Sequence, residues 1–297
     1  MDLKSRLLEI SDLTLSENEP LKKHCGYGVG GSADFFIEVG SFVALNFLIK
    51  ILNENKINFK IIGNGTNVLF SDKGFNGVII STSKLNDVFF KRDEIYATCG
   101  VQLEKLINFT INHALTGLEN LAGIPATLGG AITMNAGAFG SVISDYLTSV
   151  DVLENGKIVK YTKEKCGFAY RSSMFLGEKK IVLAGTFKLN PSDRCKIFNA
   201  YKLYGLMRKN IQPQGKSCGS VFKNGKKFSA GKLIEDAGLK GTSVGGAFVS
   251  EKHANFIIAK NGATAQDVFN LINLIKRKVY DTFGVLLCEE IELVGDF

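Results

Sequence analysis

The sequence predicts an α+β protein built from α/β subdomains, and three features carry that expectation. Between Ala33 and Ile80 the periodic segments read strand, helix, strand, loop, strand, the order of an α/β unit. In mid-chain, Asn155-Gly156 separates two β-branched runs, which marks a hairpin. Towards the end, Thr264 and Asp267 frame the start of a long amphipathic helix as a capping box. A length of 297 residues suits roughly two domains.

Taken in order, the first twenty residues are polar and mixed and predict a short helix or a loose lead-in. His24-Cys25-Gly26-Tyr27-Gly28-Val29-Gly30-Gly31 is a glycine-dense turn opening into a strand at Ala33–Val39. Ser41 then reads as an N-cap, because Phe42, Leu45, Leu48, Ile49 and Leu52 recur behind it at helical spacing. Strands follow at Phe59–Ile62, Val68–Phe70 and Val78–Ile80, with the loop Gly63–Asn67 among them. Glu94–Thr98 reads as another strand, and Leu103–Ala114 as a helix burying Leu103, Leu106, Ile107 and Ile111.

No charged residue occurs from Asn120 to Ser144. The chain then turns to strands at Ser149–Leu153, Ile158–Tyr161 and Ile181–Leu189. Pro191 marks a boundary between a domain over 1–191 and a second over 192–297. Beyond it lie a helix at Cys195–Lys209, the loop Gln212–Gly219 and a mixed tail. The last helix buries Val268, Leu271, Ile275 and Val279, and Gly284 ends it.

Composition narrows the function. Hydrophobic residues at 45 % allow a sizeable core, and the formal charge of +7 is spread over lysine pairs rather than gathered in a stripe. A nucleic-acid reader needs that concentration, so none is expected. Six widely spaced cysteines form no CxxC pair and, with three scattered histidines, offer no metal site. They read as free thiols of a reducing, cytoplasmic compartment. The longest apolar stretches fall short of the ~20 residues of a membrane span.

Five places hold chemistry. Gly63-Asn64-Gly65-Thr66-Asn67 follows a strand and suits backbone N–H groups turned towards a phosphate, but Val68 stands where a Rossmann fingerprint needs its third glycine. By itself this loop is as readily a simple turn. The run Gly123–Gly140 is almost wholly small side chains; it makes a poor helix and lets backbone lie flat against a planar ligand, or else cross closely against other backbone. Arg171, after Phe168-Ala169-Tyr170, is suited to a carboxylate or to a surface ion pair. Ser220 lies in a small-residue turn with no GxSxG elbow, which argues against an acyl-transfer hydrolase. Glu289-Glu290 would alternate faces on a strand.

Together these stretches resemble the UDP-N-acetylenolpyruvoylglucosamine reductase family, from about Lys22 to Gly295. The matching runs, in order, are Val29–Asp34, Gly63–Leu69, Leu121–Pro125 with Met134–Ala138, Gly167–Arg171, Gly219–Asn224, Ala230–Glu235 and Val249–Phe256. The pattern is that of the shorter form, without a tyrosine-bearing insertion. The resemblance implies an oxidase-like (PCMH-type) FAD-binding domain of two subdomains, about 22–83 and 84–191, and a C-terminal α/β substrate-binding domain. It implies bound FAD, NADPH as co-substrate, and a nucleotide-sugar enol ether of peptidoglycan precursor synthesis as substrate. No protein partner follows from it.

Carried over residue by residue, Gly63, Asn64, Gly65, Thr66 and Asn67 would hold the FAD pyrophosphate. Gly123, Ile124, Pro125, Thr127, Gly130, Asn135 and Gly137 would line the flavin ring and the rest of the cofactor. Arg171 would contact the substrate carboxylate, Ser220 would donate the proton, and Glu290 would be the C-terminal glutamate. Asn224 and His253 would look towards the nucleotide-sugar. Cys218 stands where alanine is usual, and Cys288-Glu289-Glu290 replaces Glu-Pro-Glu, so spacing from Phe283-Gly284 selects Glu290.

Overall fold

The computed structural model describes residues 3–177 and 179–297, and the helix expected behind Ser41 is present as Phe42–Glu54. Ser41 caps it by accepting a hydrogen bond from Ala44 N–H at 3.1 Å. Its inner face is Ala44, Leu45, Leu48 and Leu52, all buried. Each large apolar side chain taken from water contributes about 1.5–3 kcal/mol, so this face, more than intrinsic propensity, holds the helix.

Contacts group the chain into two units that interleave in sequence. The first comprises the chain up to Ser16, Phe35–Gly63 and Gly77–Arg208. One sheet runs in the order Leu13–Pro20, Ser32–Val39, Phe75–Ser81, Phe59–Ile62, the last two strands parallel with Phe59 opposite Val78. A second, antiparallel sheet of five strands runs Lys157–Thr162, Leu147–Glu154, Ile181–Phe187, Glu94–Thr98, Val88–Lys91. The hairpin expected at Asn155-Gly156 is there, with Glu154 opposite Lys157. Every residue of Ile181–Phe187 is buried, as a central strand covered on both sides requires. One hydrophobic cluster joins these strands to the helices Phe42–Glu54 and Leu103–Asn112.

The second unit comprises Glu17–Asp34, Asn64–Asn76 and Lys209–Phe297. Val68–Phe70 pairs in parallel with Glu292–Val294, joining the loop after Gly63 to the end of the chain. A three-stranded sheet, Ser243–Val244, Ala247–Val249 and Ile257–Ala259, packs beside the helix Ala265–Phe283. The capping box closes as predicted: Asp267 N–H donates to Thr264 Oγ1 at 3.1 Å, and Thr264 N–H donates to Asp267 Oδ2 at 3.0 Å. The N–H groups of Gly246 and Thr264 hold the Asp267 carboxyl below its usual range.

Two expectations are corrected. The lead-in holds the short helix expected there, Leu3–Leu8, but an eight-residue strand, Leu13–Pro20, follows it where none was expected. The small-residue run also contains a short helix, Leu128–Thr133. Gly129 lets that helix lie against the strand-end residue Cys99, where a Cβ would come within 2.9 Å of the Cys99 Cβ. Close packing outweighs the poor propensity.

Candidate active site

In the first unit the candidate residues lie on and around the glycine-rich run. A Cβ on Gly63 would run into the hydroxyl of Thr127, so this position admits hydrogen alone. The Thr127 Oγ1 is buried and has no hydrogen-bond partner among the described residues, although Thr127 begins the helix Leu128–Thr133. A buried hydroxyl without a partner costs about 1–3 kcal/mol. A ligand bearing hydrogen-bonding oxygens and lying close along Gly63 would remove that cost, which is the fit expected of a nucleotide cofactor.

Arg171 is held at φ 50° inside a tight turn closed by hydrogen bonds from Ala169 N–H to Ser172 O at 3.0 Å and from Ser172 N–H to Ala169 O at 3.2 Å. Its guanidinium donates to Gly137 O at 3.2 Å and lies 5.3 Å from the Tyr170 ring. Asn135, itself at φ 45°, ties this turn to the run: its Nδ2 donates to Ala169 O at 3.1 Å, and its Oδ1 accepts from Ser144 N–H at 3.4 Å. Asn135 therefore braces Arg171's turn from inside the protein.

Sequence reasoning missed Arg208. It lies near the end of the helix Arg194–Ile211, where Met207-Arg208-Lys209 looks like an ordinary charged surface. Its Nε donates to Ala122 O at 2.8 Å, its guanidinium sits 5.6 Å from the Phe139 ring, and its Nη2 is buried without a hydrogen-bond partner among the described residues. Burial, with the charge of Arg171 adding to it, lowers its pKa. Two guanidiniums near one another call for an anion. Ile124 and Pro125 lie on the loop between Gly123 and the start of the helix, and Gly130 faces Thr127 Oγ1, to which a Cβ would come within 3.7 Å.

In the second unit, Gly65 takes φ 62° and its missing Cβ leaves room for His24 O. Its own carbonyl accepts Gly26 N–H at 2.9 Å. No other residue meets both demands without strain. Asn67 closes the loop by donating from Nδ2 to Glu290 O at 3.0 Å and accepting Glu292 N–H on its carbonyl at 2.9 Å.

Ser220, Glu290, Asn224 and His253 all lie in this unit. The segment after Ser220 is laced on both sides. Glu290 N–H donates to Val221 O at 2.7 Å and Lys223 N–H to Cys288 O at 2.9 Å on one side. On the other, Val221 N–H donates to Asn255 O at 2.9 Å. Asn255, whose role sequence reasoning missed, then grips Phe222 with its side chain. The two glutamates are told apart: Glu289 Oε1 is 2.7 Å from Lys276 Nζ on the last helix.

Asn224 Oδ1 accepts Ala230 N–H at 2.9 Å, which orients its amide. His253 accepts Asn255 N–H on Nδ1 at 3.2 Å and packs edge-on to Phe256. Burial lowers the His253 pKa and so favours the neutral ring. Among the described residues no cluster of three metal-ligating side chains occurs, and no helix is long and apolar enough to cross a membrane.

Similarity to known proteins shows the family. A family model described as an FAD binding domain matches residues 33–162, and one described as the C-terminal domain of UDP-N-acetylenolpyruvoylglucosamine reductase matches 212–294. The chain is 43 % identical to the UDP-N-acetylenolpyruvoylglucosamine reductase of Carboxydothermus hydrogenoformans, over 99 % of this chain and 98 % of that one. To the protein of the same name from Clostridium novyi it is 40 % identical, over 100 % and 97 %. The crystal structure of the Thermus caldophilus reductase superposes with a TM-score of 0.81 at 32 % identity, covering 95 % of this chain and 99 % of that chain. A glucose dehydrogenase, Phl p 4.0202, shares the fold over 65 % of this chain and 45 % of its own, at a TM-score of 0.50 and 14 % identity.

Proposed function

Because the chain belongs to the UDP-N-acetylenolpyruvoylglucosamine reductase family, we propose that it reduces UDP-N-acetylglucosamine enolpyruvate to UDP-N-acetylmuramate with NADPH, in peptidoglycan precursor synthesis. FAD, when bound, relays the two electrons from NADPH to the enolpyruvyl double bond. FAD is assigned to 1–191 and the nucleotide-sugar to 192–297. The observation that carries the cofactor to these residues is the partnerless Thr127 hydroxyl facing the bare backbone of Gly63. By the resemblance to the family, Asn64, Gly65, Thr66 and Asn67 would hold the pyrophosphate, and the glycine-rich run from Gly123 to Gly137 would line the ring.

The chain's own residues then meet three demands. Reduction at the terminal methylene leaves negative charge on the carbon that bears the carboxylate. Arg171 holds that carboxylate through a guanidinium already fixed by its turn, so the charge develops against a donor needing no rearrangement. Ser220 delivers a proton from Oγ to the same carbon, and the lacing of Val221 and Phe222 keeps its backbone in place. Glu290 can assist only if protonated, because a second anion would repel the developing charge. Asn224 and His253 address the nucleotide-sugar. Six free cysteines suit a reducing cytoplasm.

A single titration tests this. Purified protein should carry or take up FAD and turn yellow, bleach with NADPH, and regain colour anaerobically on addition of UDP-N-acetylglucosamine enolpyruvate. Recovery only on admission of oxygen would instead mark an oxidase of the same fold.

A further inference from the structure

Two buried cysteines have no part in that chemistry. Cys25 lies in the glycine-dense turn and Cys218 two residues before Ser220, yet both Sγ atoms are 3.2 Å from the same acceptor, Val68 O. Cys218 Sγ is also 3.8 Å from Gly65 O, and a Cβ on Gly26 would lie 3.1 Å from Cys218 Sγ. Three separate segments of the second unit therefore bring two thiols together on one carbonyl. Buried hydrophobic thiols elsewhere in the chain, such as Cys99 and Cys166, have no such neighbour and are pushed up in pKa by burial.

We propose that Cys25 and Cys218 are a thiol-oxidation site that closes to a reversible disulfide when a peroxide oxidises Cys25. Cys25 is the attacking sulfur: both residues are buried, and Cys25 is the less buried, 8 % exposed against 3 % for Cys218. Its thiolate is also the better supported, by the Cys218 thiol first and then by the backbone N–H groups of Tyr27, Phe70 and Val29, which lower its pKa. The Cys218 thiol is pushed up by burial and keeps its proton.

The chemistry balances. Cys25 sulfur attacks a peroxide oxygen, so an S–O bond forms, the O–O bond breaks and the departing oxygen leaves as water. The Cys218 sulfur then attacks the Cys25 sulfenic acid: the S–S bond forms, the S–O bond breaks, and the Cys218 proton leaves with the hydroxyl as a second water. Two thiols lose two electrons and one peroxide gains them. A dithiol reductant reverses the step.

Closure removes both thiol contacts to Val68 O at the end of the phosphate loop, and strains the Ser217–Ser220 turn, since Gly26 is wedged so tightly that a Cβ would lie 2.6 Å from Ser217 O. Loss of activity is the expected consequence, and that part alone rests on the roles proposed for Gly65 and Ser220.

The test uses the full chain in a Cys195→Ser, Cys288→Ser background, which removes the two exposed thiols. After hydrogen peroxide treatment, alkylation and non-reducing peptide mapping, the peptides of Cys25 and Cys218 should appear joined, lighter by two hydrogens, and separate again with dithiothreitol. Turnover should fall in proportion to the joined fraction and return on reduction, and Cys25→Ser should abolish the joined peptide. Oxidation of Cys25 to sulfinic acid with Cys218 still alkylatable, or both thiols remaining reduced, would overturn the proposal. A joined peptide with unchanged turnover would keep the oxidation site and reject the assigned roles of Gly65 and Ser220.

Discussion

Asn255 holds Phe222 at both of its backbone polar groups: Phe222 N–H donates to Oδ1 at 2.9 Å, and Nδ2 donates to Phe222 O at 2.8 Å. Both residues are buried. Asn255→Leu would strand both Phe222 groups, each worth about 1–3 kcal/mol when buried without a partner. Denaturant unfolding should show a loss above about 2 kcal/mol, and a variant as stable as the parent would show that water or a rearranged strand replaces the amide.

The neighbouring glutamates separate structure from chemistry. Glu289→Gln breaks a partly exposed ion pair with Lys276, and should lower stability by no more than about 1 kcal/mol while turnover persists. Glu290→Gln should retain stability and lower kcat by about 10²-fold or more. Steady-state kinetics on both variants decides, and a reversed pattern would move the acidic role to Glu289.

Gly63→Ala should abolish FAD uptake, because its Cβ is directed into the Thr127 hydroxyl. Thr127→Val keeps the shape and removes the hydrogen-bonding oxygen, so FAD affinity should weaken by about 1 kcal/mol, roughly fivefold. Flavin absorbance after gel filtration and a fluorescence titration measure the two effects. Unaltered binding in both would place the cofactor elsewhere.

His253 gives a pH dependence of known sign. Burial, with the charge of Lys240 contributing, depresses its folded-state pKa below the ordinary 6.5. As pH falls below about 6.5, the unfolded chain binds a proton that the folded chain refuses, so stability declines from there until the lower folded value is passed. Above that window the group contributes no pH dependence. In urea melts between neutral and mildly acidic pH, His253→Gln should flatten this part of the profile, and an unchanged slope would assign it to other groups.

Elements defined by local periodicity were legible from the residues. The helix Phe42–Glu54 announced itself through Ser41 and its apolar spacing, and Ala265–Phe283 through Thr264, Asp267 and Gly284. The strand Leu13–Pro20 did not, because Glu17, Asn18 and Glu19 break the apolar alternation and Asn18 takes φ 51°. The helix Leu128–Thr133 was hidden because Gly129 serves contact with Cys99 rather than helix formation. Arg208 and Asn255 were illegible for another reason. Their roles arise from partners far away in sequence, Ala122 for one and Phe222 for the other, and no local pattern encodes those meetings.

The central claim is that Ser220 supplies the proton that completes substrate reduction, while reduction by NADPH proceeds without it. Stopped-flow absorbance of Ser220→Ala tests this most directly. Bleaching of the flavin by NADPH should keep its parental rate, and colour recovery with UDP-N-acetylglucosamine enolpyruvate should slow by about 10²–10⁴-fold. Equal slowing of both phases, or recovery at the parental rate, would contradict the account.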